Sequence, residues 1–132
     1  MWALSFLLAI GFVMADECKV LGGYASWYGG KFHGRKTSSG EAFDKYKYTA
    51  ASKYFKMHSY VLVRNLENGK EVVVRINDKG PYKKGRIIDL SKSAAEKLEM
   101  LTKGVVKVQV LPLACVAKED PEEIIADLMK TD

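Results

Sequence analysis

Residues 72–91 constrain the fold more than any other stretch. Val72, Val73, Val74 and Ile76 form an apolar, largely β-branched run that ends in polar Asn77 and Asp78. Gly80 and Pro81 then force a turn, a basic segment follows (Lys83, Lys84, Arg86), and Ile87, Ile88 and Leu90 open a second run. Such runs joined by a Gly-Pro break predict strand, loop, strand. The loop holds one carboxylate, Asp78, among several cations. Loops mounted on rigid strands carry function. A carboxylate in a turn also bonds backbone N–H groups with no further role. This stretch alone leaves both readings open.

The neighbouring segments extend the β pattern. Residues 60–66 and 70–76 flank Glu67, Asn68 and Gly69, and an Asn-Gly turn between two apolar runs predicts a hairpin. Residues 22–30 form a short strand running into glycines, residues 48–51 another, and residues 104–113 alternate as a closing strand. Ser91 is placed to cap a short helix over residues 92–100, with Ala94, Ala95 and Leu98 on one side. Six or seven short strands and one helix within about a hundred residues predict a single all-β domain, a small barrel.

The two ends differ from this body. Residues 1–15 lack any charged side chain, and their apolar core, residues 4–13, is too short to span a bilayer. Ala15 closes a small-residue cleavage site, so residues 1–15 read as a signal peptide of an exported protein. A basic start is missing, and a buried N-terminal helix is the competing reading. In an exported chain, Cys18 and Cys115 point to a disulfide bracketing the domain. Glu17 stands where a lipoprotein signal wants a small residue, so the chain is not expected to carry a lipid anchor. Residues 117–132 form an acidic tail. Asp120, Pro121, Glu122 and Glu123 open a helix with an apolar stripe of Ile124, Ile125, Leu128 and Met129. The tail carries −4 and the remainder +9, for a formal net charge of +5. The expected organisation is signal peptide 1–15, barrel 16–116 and helical tail 117–132. The tail would dock on its own barrel or on another cell-wall or division protein.

Between residues 24 and 46 aromatics are dense. Trp27 and Phe43 are expected in the core, Tyr28 and Phe32 at the surface, where such rings stack on sugars. Glu41 follows Gly40 in this aromatic loop, and desolvation there would raise its pKa. A solvated loop glutamate is the simpler reading. Two histidines and two distant cysteines have no ligand spacing, so neither metal nor cofactor is expected.

Four motifs, taken together, resemble the rare lipoprotein A family. They are Ala25-Ser26-Trp27-Tyr28, then Gly40-Glu41, then Asn77-Asp78 with Gly80-Pro81, then Arg86 with Asp89-Leu90-Ser91. The match covers most of residues 22–110 in order and spacing. The resemblance implies a six-stranded double-psi β-barrel, related to the catalytic domain of expansins. It also implies export to the periplasm or cell envelope, and action on peptidoglycan glycan strands as an endolytic transglycosylase in wall remodelling or septation. Nucleic acid is not an expected partner.

A lytic transglycosylase cleaves the β-1,4 bond after N-acetylmuramic acid without water. The sugar's own C6 hydroxyl attacks and leaves a 1,6-anhydro end. An intramolecular nucleophile has a high effective molarity, so one acid/base suffices where ordinary glycosidases use two carboxylates. The resemblance implies Glu41 as that acid/base and Asp78 as the group facing the oxocarbenium-like charge. It implies substrate contacts at Tyr28, Phe32, Ser52, Arg86 and Asp89. One position departs from the family: a histidine after Thr49-Ala50-Ala51 is replaced by Ser52. His33 and His58 are the candidate substitutes. A non-catalytic, expansin-like wall-binding module is therefore the alternative.

Overall fold

The structure is a computed structural model and describes residues 18–119. The expected signal peptide and the tail from residue 120 onward lie outside the described residues. Six strands form a closed barrel in the order β1-β5-β2-β4-β3-β6. They are β1 (Leu21–Trp27), β2 (Thr49–Ala51), β3 (Tyr60–Asn65), β4 (Glu71–Asp78), β5 (Arg86–Leu90) and β6 (Val106–Pro112). Strand β1 runs parallel to β5, and β2 parallel to β4; the remaining pairings are antiparallel. This is the double-psi β-barrel that the motifs imply.

Period-two alternation fills the barrel. Val61 and Val63 of β3, Val72, Val74 and Ile76 of β4, Ile88 and Leu90 of β5, and Val108 and Val110 of β6 are all buried. Each such side chain contributes about 1.5–3 kcal/mol when removed from water. Between β3 and β4 the predicted turn forms, with Gly69 at φ 77°. Asn65 closes it, its Oδ1 accepting from the Glu67 N–H while its Nδ2 donates to the Leu98 carbonyl.

Helix α1 (Lys92–Lys97) starts where expected. Ser91 Oγ accepts from the Ala94 N–H at 3.3 Å and donates to the Lys47 carbonyl at 2.6 Å. Ala94, Ala95, Leu98 and Met100 join the core. The closing strand ends at Pro112, and helix α2 (Leu113–Glu119) begins at once, running across Cys115. Cys115 is bonded to Cys18, as the cysteine count predicts.

Candidate active site

The site is built on a row of residues crossing four strands. Ser26 of β1 pairs with Asp89 of β5, Asp89 with Ala51 of β2, and Ala51 with Asp78 of β4. Paired residues point to the same face of a sheet. Here that is the outer face, because Ile88 and Leu90 on either side of Asp89 point into the core. Asp78 joins the row only through an irregularity. Ala50 pairs with Ile76, but Ala51 pairs with Asp78, so β4 carries an extra residue at Asn77. A bulge re-aims the side chains that follow it, and this one puts Asp78 on the face of Asp89. Two strand spacings separate their backbones, roughly 9–10 Å. Ala51 between them has only a methyl group, which leaves a floor. Above it lies a cavity of about 200 Å³, lined by Tyr28, Phe32, Asp78, Pro81, Tyr82 and Asp89 among others.

The two carboxyls stand in unlike surroundings. Burial is the main influence on Asp89 and raises its pKa. The Ser26 hydroxyl, donating to Oδ1 at 3.0 Å, and the charge of Arg86 oppose the rise, and the charge of Asp78 adds to it. On Asp78 three donors converge at Oδ1: the Ser38 N–H at 2.9 Å, the Ser38 hydroxyl at 2.6 Å and the Lys79 N–H at 2.9 Å. All three use that carboxyl oxygen as an acceptor.

Tyr28 departs from the exposure expected of it. Its ring packs 4.4 Å from that of Phe43 and 6.0 Å edge-on to that of Phe32, and its hydroxyl is buried without a partner among the described residues. Burial first, then the charges of Asp89 and Asp78, push its pKa far upward. Tyr28 therefore stays neutral, its hydroxyl enclosed beside the cavity. Its apparent exposure in sequence came from the glycines beside it, whereas Phe43 reaches it from fifteen positions further along.

Glu41 is not among the lining residues, and its expected upward pKa shift is reversed. Arg75 grips both carboxylate oxygens, at 2.6 and 3.1 Å, and Asn77 Nδ2 donates to one at 2.7 Å. These bonds outweigh the partial burial, the charge of His58 adds to them, and the pKa falls. The pair is bidentate, which Arg geometry favours. Glu41 thus fastens the loop of residues 37–41 onto Arg75 and the bulge residue Asn77, one residue from Asp78.

Ser52 is buried behind the cavity rather than in it. Its N–H donates to the Asp78 carbonyl at 3.0 Å, its hydroxyl donates to the Ile87 carbonyl at 2.9 Å, and that hydroxyl accepts from the Tyr54 N–H at 3.2 Å. Arg86 begins β5 beside Tyr24 and acts on Asp89 by its charge. His33 accepts from the Lys45 N–H and packs edge-on to Tyr46, an ordinary loop position. His58 adopts a left-handed backbone, φ 71°, and donates its N–H to the Ile76 carbonyl. Sequence reasoning missed Arg75, Ser38 and the bulge at Asn77. Arg75 carried a signal: a single cation inside the apolar run of β4.

A family model described as lytic transglycolase matches residues 20–110. The chain belongs to that family. Its relatives among lytic transglycolases include a probable endolytic peptidoglycan transglycosylase RlpA of Aquifex aeolicus, 47% identical over 111 residues. That alignment covers 83% of this chain and 49% of the relative. The endolytic peptidoglycan transglycosylase RlpA of Neisseria meningitidis serogroup B is 49% identical over 109 residues, covering 80% and 46%. The chain thus spans about half the length of these curated relatives. In fold alone, an apo expansin of Clavibacter michiganensis superposes with a TM-score of 0.58 at 18% identity, covering 71% of this chain and 50% of that one. A Streptomyces papain inhibitor superposes with a TM-score of 0.57 at 23% identity, covering 70% and 93%. The rare lipoprotein A resemblance is borne out by these matches.

Proposed function

We propose that this chain is an extracytoplasmic lytic transglycosylase that cuts peptidoglycan glycan strands to leave 1,6-anhydro ends. The family and its curated relatives support the reaction class. The observation that carries it to this chain is the pair Asp89 and Asp78, two carboxyls in one cavity whose surroundings differ. Divergent environments of that kind mark an acid and its charged companion.

In this reading the protonated Asp89 carboxyl gives its proton to the glycosidic oxygen as the bond to C1 breaks. Positive charge developing at C1 faces the Asp78 carboxylate. The C6 hydroxyl then bonds to C1, and its proton returns to the Asp89 carboxylate, which restores the starting state. Tyr28 and Phe32 form the aromatic wall of the cavity. Glu41, expected from the family as the acid/base, stays ionised beside Arg75 and holds Asn77, and so the bulge, in place. Arg86 tempers the pKa of Asp89 by its charge.

The paired state of Glu41 and the loss of the family histidine at Ser52 favour one competing reading, a wall-binding module without turnover. Digestion of purified peptidoglycan by the full chain separates the two, with products read by mass spectrometry. Anhydro-ended fragments that vanish with Asp89→Asn support the enzyme. Co-sedimentation with the glycan, with no fragments at any pH, leaves the binding module.

A further inference from the structure

The cavity opens past Asp78 onto Tyr82, which is 75% exposed and lines it. Tyr54, 51% exposed, stands on the turn after β2. The Lys53 ammonium lies 5.4 Å from the Tyr54 ring centroid and 5.6 Å from that of Tyr82. One cation lies near both rings, each contact worth about 0.5–1 kcal/mol for exposed groups. Large aromatics left in water at a cavity mouth mark a binding surface. Tyrosine gives much contact area for little lost rotamer freedom.

Charge on this rim is one-sided. Lys79, Lys83 and Lys84 are exposed on the β4–β5 connection, and like Lys53 they have no ion pair among the described residues. The turn bearing Lys53 and Tyr54 is anchored at Ser52, whose hydroxyl bridges the Ile87 carbonyl and the Tyr54 N–H. The residue that departs from the family pattern is therefore the one that fixes the aromatic rim against the cavity. An aliphatic ligand does not match two exposed rings beside cations that lack an ion pair among the described residues. A saccharide does: the C–H face of a pyranose is complementary to the electron-rich face of an aromatic ring, and a carboxylate on it meets an ammonium.

We propose that Tyr82, Tyr54 and Lys53 form a subsite for one carboxylate-bearing sugar unit next to the bond held by Asp78 and Asp89, with Ser52 setting its geometry. The sugar ring lies against Tyr82 and its carboxylate points to Lys53. The proposal rests on the glycan-cleaving reading for the identity of the polymer, but its test is a binding measurement.

The full chain carrying Asp89→Asn is titrated calorimetrically with three tetrasaccharides. One alternates N-acetylglucosamine with peptide-free muramic acid, one carries stem peptides on those lactyl groups, and one is the neutral N-acetylglucosamine oligomer. At least one carboxylated ligand binds about 10-fold tighter than the neutral one, a difference of about 1.4 kcal/mol. Whichever carboxylated ligand leads tells whether the sugar's own carboxylate or the peptide's is read. Lys53→Met, with the stem of its side chain retained, brings that ligand to the neutral level. Tyr82→Ala weakens all three by about 10-fold, as loss of a stacking face requires. Equal binding of charged and neutral ligands by the parent, or a preference that survives Lys53→Met, overturns the subsite. So does unchanged binding by Tyr82→Ala. Failure here leaves the cleavage reading intact if the unsubstituted chain still makes anhydro products. Lys53-dependent binding without such products removes the cleavage reading and keeps the subsite.

Discussion

Asp89 and Glu41 are displaced from the ordinary carboxyl range in opposite directions, and the cause is whom each one touches. Asp89 is half-buried with a single hydroxyl donor among the described residues, so its charged form is disfavoured; Glu41 has a guanidinium and an amide, so its charged form is favoured. Their effects on stability have opposite signs. The raised Asp89 lends stability below the unfolded carboxyl pKa, and that stability is lost as pH rises through the folded value. Asp89→Asn, neutral and of equal size, should therefore gain melting temperature on the parent as pH rises from about 4, the unfolded carboxyl value; a gap that shrinks as pH rises would mean Asp89 is not raised. Glu41 behaves in reverse, stabilising above the unfolded pKa and losing this as pH falls through its lowered folded value. Glu41→Gln should cost about 1 kcal/mol or less at neutral pH, because the pair is part-exposed, and the deficit should close in acid. Catalysis separates the two more sharply. With Asp89 as donor, activity falls on the alkaline side as Asp89 ionises. Glu41→Gln lowers the rate yet leaves that alkaline limb where it was; a limb that moves with Glu41→Gln assigns the proton to Glu41 instead.

At the level of strands and turns, what could be read from the sequence was what is local. The Asn68-Gly69 hairpin, the Ser91 cap and the alternation of β6 depend on neighbours in the chain, and each forms. The pairing of Asp89 with Ala51, and of Ala51 with Asp78, depends on one antiparallel pairing, one parallel pairing and a bulge whose register no local pattern encodes. For that reason Asp78 and Asp89 were both legible as candidates while their meeting across Ala51 was not. Glu41 shows the same limit: its loop was recognisable, but Arg75 comes from 34 positions away. One close approach between elements gives a direct test. A Cβ on Gly23 of β1 would stand 2.7 Å from Ile87 Cγ2 and 3.3 Å from the Gly85 carbonyl oxygen. Gly23→Ala should thus cost about 1–3 kcal/mol by overpacking, seen as a lower denaturation midpoint with an unchanged slope. An unchanged midpoint would show that β5 yields at Ile87 without strain.

For the molecule as a whole, closure is both non-covalent and covalent. Strands β1 and β6 are neighbours in the barrel, and just outside them Cys18 and Cys115 are joined, 97 positions apart in sequence. Chain-entropy reasoning gives about 4–5 kcal/mol for so long a loop. At about 4–8 °C per kcal/mol for a domain of this size, reduction or the double change Cys18→Ser with Cys115→Ser should lower the melting temperature by about 16–40 °C. A shift of only a few degrees would mean that the reduced unfolded chain is already compact. The same bond has a mechanical meaning. Cys18 precedes the first strand and Cys115 follows the last, so the covalent link stands outside all six. A pull along the chain from either side would run from Cys18 to Cys115 and bypass the hydrogen-bonded ladders. The groove would keep its shape under tension that would otherwise peel β1 from β6.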